Sequence, residues 1–344
     1  MITGRASVIV PAYNQAAHLR TVLGALLASA PPGVEILVVD DGSTDRTVAI
    51  SEAMGVRVVR RPGNLGPAGA RNFGARCCQG EILFFVDADV VVDPRAIGRV
   101  LATFRDRPEV AAIFGSYDDQ PSAPNLVSQY RNLLHHFVHQ NAASEASTFW
   151  TGCGAVRRGC FESVGGFDEA RELNYVEDVE LGHRLRRAGY RILLDKQLQG
   201  KHLKRWDLVS MTRTDLLNRA LPWSRLLLAD RASDRDLNLA WQHRWSVALT
   251  GIGVAASVVA LVQPSGVPVA AAAFAGVAAL NRSWFGFLAR KRSPWFAAAC
   301  FPLQLIHYCC GGLGFAYAWS ETTLTRWLRR SVRDQETDSI HSGP

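Results

Sequence analysis

The stretch Phe84-Phe85-Val86-Asp87-Ala88-Asp89 constrains this chain more than any other, because a run that must be buried ends in two carboxylates one residue apart. Glu81 to Val86 is too apolar and β-prone for a surface loop, so it reads as a central strand. In an open α/β sheet, ligands bind beyond the carboxyl ends of strands, where Asp87 and Asp89 fall. Two carboxylates this close repel, and a divalent cation is their natural counter-ion. Mg²⁺ or Mn²⁺ held by such oxygens can also bind a diphosphate. A solvated turn explains an isolated Asp-x-Asp equally well, so the flanking sequence decides.

An earlier strand ends the same way. Val34 to Val39 runs into Asp40-Asp41-Gly42-Ser43-Thr44-Asp45, where Gly42 permits a tight turn and Ser43 or Thr44 can cap a helix running to about Met54. Ala6 to Val10 forms a first strand broken by Pro11, followed by Ala12-Tyr13-Asn14 and a helix from about Gln15 to Ser29. A short strand at 56–59 precedes Asn64-Leu65-Gly66-Pro67-Ala68-Gly69-Ala70-Arg71-Asn72, which opens a helix to about Cys78. Strands alternating with helices of this length predict a doubly wound sheet with parallel, right-handed connections. Pro11, Asp40, Asp41 and Asp87 then share one rim. Carboxylates at successive strand ends are poor packing chemistry, since buried charge is costly without partners.

These segments resemble the nucleotide-sugar half of family-two glycosyltransferases, which have the GT-A fold. The resemblance rests on VPAYN (10–14), VDDGSTD (39–45), NLGPAGARN (64–72) and FVDADV (85–90), and continues through GCGAVRR (152–158), GGFDE (165–169) and VEDVELGHRLRRAGYRI (176–192). It covers about residues 5–206. It implies an α/β fold with a doubly wound, mixed but mostly parallel sheet, binding a nucleotide-sugar donor. No G-x-G-x-x-G follows the first strand, which counts against a Rossmann dehydrogenase.

Carried over residue by residue, the resemblance places Tyr13, beside Pro11, against the nucleobase. Asp41 would hydrogen-bond the base edge, with Asp40 supporting that loop, and Asn64 and Gly66 would belong to the donor site. Arg71 would approach the diphosphate or Asp87, Asp87 the ribose or donor sugar, and Asp89 would hold Mg²⁺ or Mn²⁺. Glu177 and Asp178 open a helix that ends at Gly189, and the helix dipole is expected to keep a carboxylate there ionised near neutral pH. The resemblance makes Asp178 the base that takes the acceptor's proton opposite the leaving group, with inversion at the anomeric carbon. A pure helix-capping role for Glu177 and Asp178 stays open, and Glu177 can serve both purposes.

His202-Leu203-Lys204-Arg205-Trp206 holds the position of a late family motif. His202 is the candidate third partner of the cation, and Arg205 and Trp206 would face the acceptor. Processive synthases carry Gln where His202 stands, which disfavours polymerisation. Trp150 and Gly152 would form a floor beside donor sugar and acceptor, although a core position suits Trp150 equally. His135, His136 and His139 lie on a helix with Tyr130, Leu133, Leu134 and Phe137. They lack the Glu of H-E-x-x-H, which argues against zinc.

The composition changes near residue 245. Trp245–Val262, Val267–Leu280 and Trp295–Trp319 carry no charge, and a membrane helix needs about 20 mostly apolar residues. We therefore expect a catalytic domain over 1–206, an amphipathic interfacial linker over 207–244, transmembrane or re-entrant helices over 245–319, and a basic then polar tail over 320–344 that is disordered from about Asp334. The third apolar segment either crosses the membrane or breaks at Gly311-Gly312-Leu313-Gly314 and returns, and Arg326, Arg329, Arg330 and Arg333 follow it. Arg282, Arg290, Lys291 and Arg292 lack acidic neighbours between the second and third segments, which predicts a cytoplasmic loop and a cytoplasmic catalytic domain on the inner membrane. The net charge of +7 suits an anionic membrane face. No nucleic-acid motif accompanies it, so no nucleic-acid partner is expected. Nine Lys/Arg residues interleave with Leu216, Leu217, Trp223 and Leu226 over 201–244, as in an interfacial helix. Seven cysteines without C-x-x-C spacing predict reduced thiols, and no cleavable leader is expected. The acceptor implied is a lipid or a lipid-linked glycan.

Overall fold

A computed structural model describes residues 6–61, 63–64, 66–169, 175–230 and 241–341, with backbone only at 230 and 326–341. Two compact units emerge. The first holds Met1–Leu208 and Arg282–Cys300. The second holds Trp241–Asn281 and Phe301–Pro344, with the segment that starts at Val209.

The first unit opens with β1 (Ala6–Ala12), α1 (Ala16–Ser29), β2 (Glu35–Asp40), α2 (Thr47–Ala53), β3 (Arg57–Arg60), α3 (Pro67–Cys77) and β4 (Ile82–Val86). It continues through β5 (Val90–Val92), α4 (Ala96–Asp106), β6 (Val110–Tyr117), α5 (Leu126–Asn141), β7 (Glu145–Ala146), β8 (Cys153–Arg157), α6 (Arg158–Ser163), α7 (Glu177–Arg187) and β9 (Arg191–His202). The strands form one nine-stranded sheet in the order β3-β2-β1-β4-β8-β6-β9-β5, with β7 also on β9. Parallel ladders join β3, β2, β1 and β4, and also β6 and β9. The pairs β4–β8, β6–β8, β5–β9 and β7–β9 are antiparallel. The sheet is mixed, as expected, with the βαβ winding confined to its first four strands.

Both faces of that parallel part are covered, which is why its strands read as continuous apolar runs. Val8, Val10, Phe84 and Val86 point to a core shared with Leu19, Leu23 and Leu26 of α1 and with Ile97, Val100 and Phe104 of α4. Ile9, Leu83 and Phe85 point the other way, toward Ala70 and Ala75 of α3, Phe161, Phe167, and Leu181 and Leu185 of α7.

The expected capping of α2 takes another form. Ser43 accepts the Asn14 N–H at 3.0 Å, and Asn14 Oδ1 accepts the Thr44 N–H at 2.8 Å. The helix begins only at Thr47, whose N–H donates to Asp45 at 2.9 Å. The two hydroxyl residues are used to join the β1–α1 and β2–α2 loops.

Beyond β9 come α8 (Leu208–Arg213), a π-helix at Thr214–Ala220, α9 (Leu221–Asp230), α10 (Trp241–Ala260), α11 (Gly266–Leu280), α12 (Arg282–Lys291) and α13 (Pro294–His341). In the second unit α10 and α11 form an antiparallel hairpin closed by small residues. A Cβ at Gly253 would lie 2.5 Å from Phe274, and one at Gly266 2.5 Å from Ala256 O. Buried polar side chains tie the helices together: Asn281 donates to Ser246 at 2.9 Å, and the Tyr308 hydroxyl donates to Asn281 at 2.7 Å.

Three expectations about the C-terminal half change. The first is the choice left open between a crossing and a glycine break, of which the break is not found. Helix α13 runs unbroken through Gly311, Gly312 and Gly314, because these glycines meet neighbouring helices and so need no turn; Gly312 faces Val247 and Gly314 faces Ala220. The second is the polar tail, whose backbone stays helical to His341. The side chains of Arg326, Arg329, Arg330 and Arg333 lie outside the described residues. Third, the interval 245–319 is divided, because α12 belongs to the first unit. Trp284 is buried there, with ring centroids 5.2 Å from Phe137 and 6.1 Å from Tyr130. Arg292 donates to Gln129 Oε1 at 2.8 Å, and Lys291 pairs with Asp119. Two of the four cations that defined the cytoplasmic loop are thus engaged by the first unit.

Among the described residues, one helical stretch is long and apolar enough to cross a membrane, Pro294–Thr325, with mean hydropathy 1.3. Helix α10 has 20 residues but includes Gln242, His243 and Arg244, and α11 has 15.

Candidate active site

The parallel ladders bring the carboxyl ends of β1, β2 and β4 to one rim. Pro11 does not break β1, which runs on through Ala12, and Tyr13 just beyond it is 43 % exposed. Asp40 Oδ1 accepts the Ser43 N–H at 3.1 Å, which supports the loop as expected. Asp41 donates its own N–H to Ala12 O at 2.9 Å, and its Oδ2 accepts the Gly66 N–H at 2.9 Å. Asn64 Oδ1 reaches the same N–H at 3.3 Å. Gly66 has φ +88 just ahead of Pro67, a conformation that suits glycine. The loop is thereby drawn across the rim to the start of α3.

Helix α3 then presents two adjacent side chains in different directions. Asn72 clamps the turn at 165–169: its amide donates to Phe167 O at 2.8 Å and its Oδ1 accepts the Phe167 N–H at 2.9 Å. Arg71 points to the rim. Its Nη2 donates to Asp87 Oδ1 and its Nη1 to Glu177 Oε1, both at 2.7 Å. Burial discourages the charge on Arg71, but Asp87 and Glu177 hold the guanidinium above its ordinary pKa. This trio, with Arg71 and Glu177 buried and Asp87 partly exposed, joins residues far apart in the chain, and sequence reasoning found only half of it: Arg71 with Asp87 was legible, and the partnership with Glu177 was not. Glu177 Oε2 and Arg71 Nε are buried without a hydrogen-bond partner, so the trio keeps unused polar capacity.

Asp178 follows Glu177 in the first turn of α7. Its Oδ1 accepts the Val179 N–H at 2.8 Å, and its Oδ2 faces the Thr151 N–H at 3.4 Å. The expectation that it stays firmly ionised is corrected. Burial first, and then the negative charge of Glu177, push its pKa up to about 7, against the pull of Arg71. Desolvation of a carboxylate outweighs a helix terminus. A carboxylate near neutrality is matched to proton transfer.

The other predicted pair also meets. Strand β5 runs antiparallel to β9 with Val90 opposite His202, and the Leu203 N–H donates to Asp89 O at 2.8 Å. His202 Nε2 therefore lies 3.4 Å from Asp89 Oδ2. A half-buried carboxylate and a buried imidazole are a donor set that would fit Mn²⁺ or Mg²⁺, with phosphate oxygens and water supplying the remaining ligands. Among the described residues no group of three or more His, Cys, Asp or Glu side chains could hold a metal ion, so these two would need such further ligands.

Antiparallel pairing of β8 with β4 sets Gly152 beside Asp87, whose N–H donates to Gly152 O at 3.3 Å. A Cβ on Gly152 would fall 2.2 Å from the Trp150 ring. Trp150 is half-buried, its ring centroid 4.9 Å from that of Tyr117 in an edge-to-face pair and 4.6 Å from that of His135. Trp206 departs from its expected acceptor-facing role. It is buried, with Lys204 Nζ 4.0 Å from its ring centroid, and its backbone is bonded to Ser128 and Asn125 of the α5 region. It fastens the segment after β9, while Arg205 remains exposed. Tyr175, exposed and with φ +76, precedes Glu177 by two residues and went unnoticed in the sequence, which carries no mark of backbone strain.

Residues 7–165 match the family model described as glycosyl transferase family 2. An uncharacterized glycosyltransferase of Haemophilus influenzae is 33% identical over 186 residues, 51% of this chain and 59% of that protein. Validoxylamine A glucosyltransferase of Streptomyces hygroscopicus subsp. limoneus is 28% identical over 241 residues, 56% of this chain and 50% of that protein. The chain spans about half the length of these curated relatives. Among solved structures, a mannosyltransferase from Pyrobaculum calidifontis in complex with GDP-Man and Mn²⁺ superposes with TM-score 0.57 at 21% identity, covering 90% of this chain and 87% of that one. Residues 1–349 of S. aureus TarS in complex with UDP-GlcNAc superpose with TM-score 0.51 at 17% identity, covering 93% and 92%. At these identities the likeness establishes the GT-A fold.

Proposed function

We propose that the chain, whose residues 7–165 match the model of glycosyl transferase family 2, is a member of that family and a membrane-attached, cation-dependent inverting glycosyltransferase. It moves a sugar from a nucleotide-sugar donor to a lipid or lipid-linked acceptor at the cytoplasmic face of the inner membrane. The observation that carries this reading is Asp178, a half-buried carboxylate with its pKa at about 7, beside the Arg71–Asp87–Glu177 trio at the strand-end rim. Asp178 takes the proton of the acceptor hydroxyl as the new bond forms opposite the leaving group. Arg71 orients Asp87 toward the donor ribose or sugar and holds Glu177 in place. Tyr13 lies against the base, Asp41 faces its edge, and Asn64 and Gly66 shape the loop beneath it. A divalent cation bound by Asp89 and His202 would neutralise the diphosphate as it departs. Trp150, Gly152 and Arg205 border the acceptor.

Attachment to the membrane rests on the apolar surface of the second unit. Trp245, Ile252, Val258, Leu261, Val262 and Val267 are all exposed on a hairpin without a charge from Trp245 to Leu280, a surface that fits acyl chains better than water. The test is a panel of UDP-, GDP- and dTDP-sugars with Mn²⁺, read by thermal shift and by nucleotide release. One nucleotide class should raise the melting temperature and be released on adding membrane lipid. A chain that responds to no nucleotide sugar overturns the proposal.

A further inference from the structure

The histidines of α5 stand outside the site described above, and all three are used on β6. His139 Nδ1 lies 2.9 Å from Gly115 O, and His136 Nδ1 donates to Tyr117 O at 2.8 Å. The Tyr117 N–H in turn faces His135 Nδ1 at 3.5 Å. Both backbone polar groups of Tyr117 are therefore met by consecutive histidines of one helix. Tyr117 is buried, with the ring centroid of His135 4.3 Å away and that of Trp150 4.9 Å away in an edge-to-face pair. It also stacks on His202, centroid to centroid 4.3 Å with only 8° between the planes.

A ligand imidazole needs an outer partner to set its ring orientation, because the final torsion of a histidine side chain is broad. A parallel aromatic face supplies that constraint: turning the His202 ring would drive its edge into Tyr117. We propose that Tyr117 is a positioning residue for the cation site. Its ring fixes the plane of His202 so that Nε2 faces Asp89, and the His135-His136-x-x-His139 pattern is the cradle that holds Tyr117. The histidine cluster that invited a zinc reading would then serve a different cation indirectly, from outside its coordination sphere.

The inference rests on the reading that Asp89 and His202 hold a divalent cation, and a separate variant tests that reading. The full-length protein in detergent is titrated with Mn²⁺, alone and with UDP or GDP, and binding is followed by loss of the free-ion electron paramagnetic resonance signal, which needs no turnover. Tyr117→Leu should weaken Mn²⁺ binding by about 10-fold or more, the usual effect of removing an outer-sphere partner. Tyr117→Phe, which keeps the stacked face, should stay within about twofold. Tyr117→Met fills a similar volume without a planar ring and serves if the leucine variant does not fold. Wild-type Mn²⁺ affinity in the leucine or methionine variant, with binding lost in His202→Ala, overturns the positioning role. So does a loss in Tyr117→Phe equal to that in Tyr117→Leu. Unchanged Mn²⁺ binding in His202→Ala instead overturns the cation site itself.

Discussion

Asp178 sits where opposing effects nearly balance. Burial and the adjacent Glu177 favour its neutral form, while Arg71 and the Val179 N–H favour its charge, leaving the pKa at about 7. Transfer should therefore rise with pH through about 7 and level off above it, measured as kcat/KM across a pH series. Asp178→Asn should keep donor affinity within a few fold and lose transfer by roughly 10²–10⁴, the usual worth of a positioned base. Near-normal turnover in that variant removes Asp178 from the role. The displacement also bears on folding. A carboxyl whose pKa is raised on folding contributes stability below its unfolded value, and this is lost as pH rises through about 7. The asparagine variant should lose that dependence in denaturation experiments. Asp89 makes the complementary case: Asp89→Ala should abolish the Mn²⁺ dependence of donor binding in a thermal-shift titration, and unchanged dependence would refute its role as the cation's anchor.

Helix α3 shows what one element contributes. Its sequence places a left-handed glycine and a proline at the start, then Arg71 and Asn72 side by side, one aimed at the rim and the other at the turn before α7. That turn can accept Asn72 only because Gly166 has φ +69 and no side chain, since a Cβ there would lie 2.7 Å from Asn72 Oδ1 and 3.1 Å from the Phe161 ring. Gly166→Ala should cost about 1–3 kcal/mol of stability, as backbone strain of this kind does. It should also weaken donor binding, because the same helix carries Arg71. Chemical denaturation and nucleotide titration would check the two effects, and a variant as stable as the parent would contradict the packing argument. The motif on α3 was legible as a donor element from its glycines, proline and arginine. Its partners lie about a hundred residues onward, and no local pattern links Arg71 to Glu177 or Asn72 to Phe167.

At the scale of the whole molecule, the boundary between the two compact units does not follow chain order. Reading the sequence alone, one expects truncation near Arg244 to leave a complete donor-binding domain. The first unit instead takes α12 from beyond the α10–α11 hairpin, burying Trp284 against α5. Trp284→Ala should cost about 3–5 kcal/mol, in line with other large core truncations. The chain cut at Arg244 should melt below the full-length protein and bind nucleotide sugar more weakly. Equal melting temperatures for the cut and intact chains would show that α12 contributes nothing to the first unit.

By itself the sequence determined the strand–helix alternation, the buried strands ending in Asp40, Asp41, Asp87 and Asp89, and the resemblance of these motifs to family-two glycosyltransferases. Each of these follows from local rules: apolar runs need a covered sheet, and glycine, proline and carboxylates concentrate where strands end. The tertiary structure decided which charges meet. The Arg71 pairing with Glu177, the stack of Tyr117 on His202, the burial of Trp206 and the return of α12 to the first unit all join positions distant in the chain. So did the pKa of Asp178, where a local rule about helix termini pointed the wrong way. Desolvation depends on everything packed around a group, and that surrounding exists only in the folded protein.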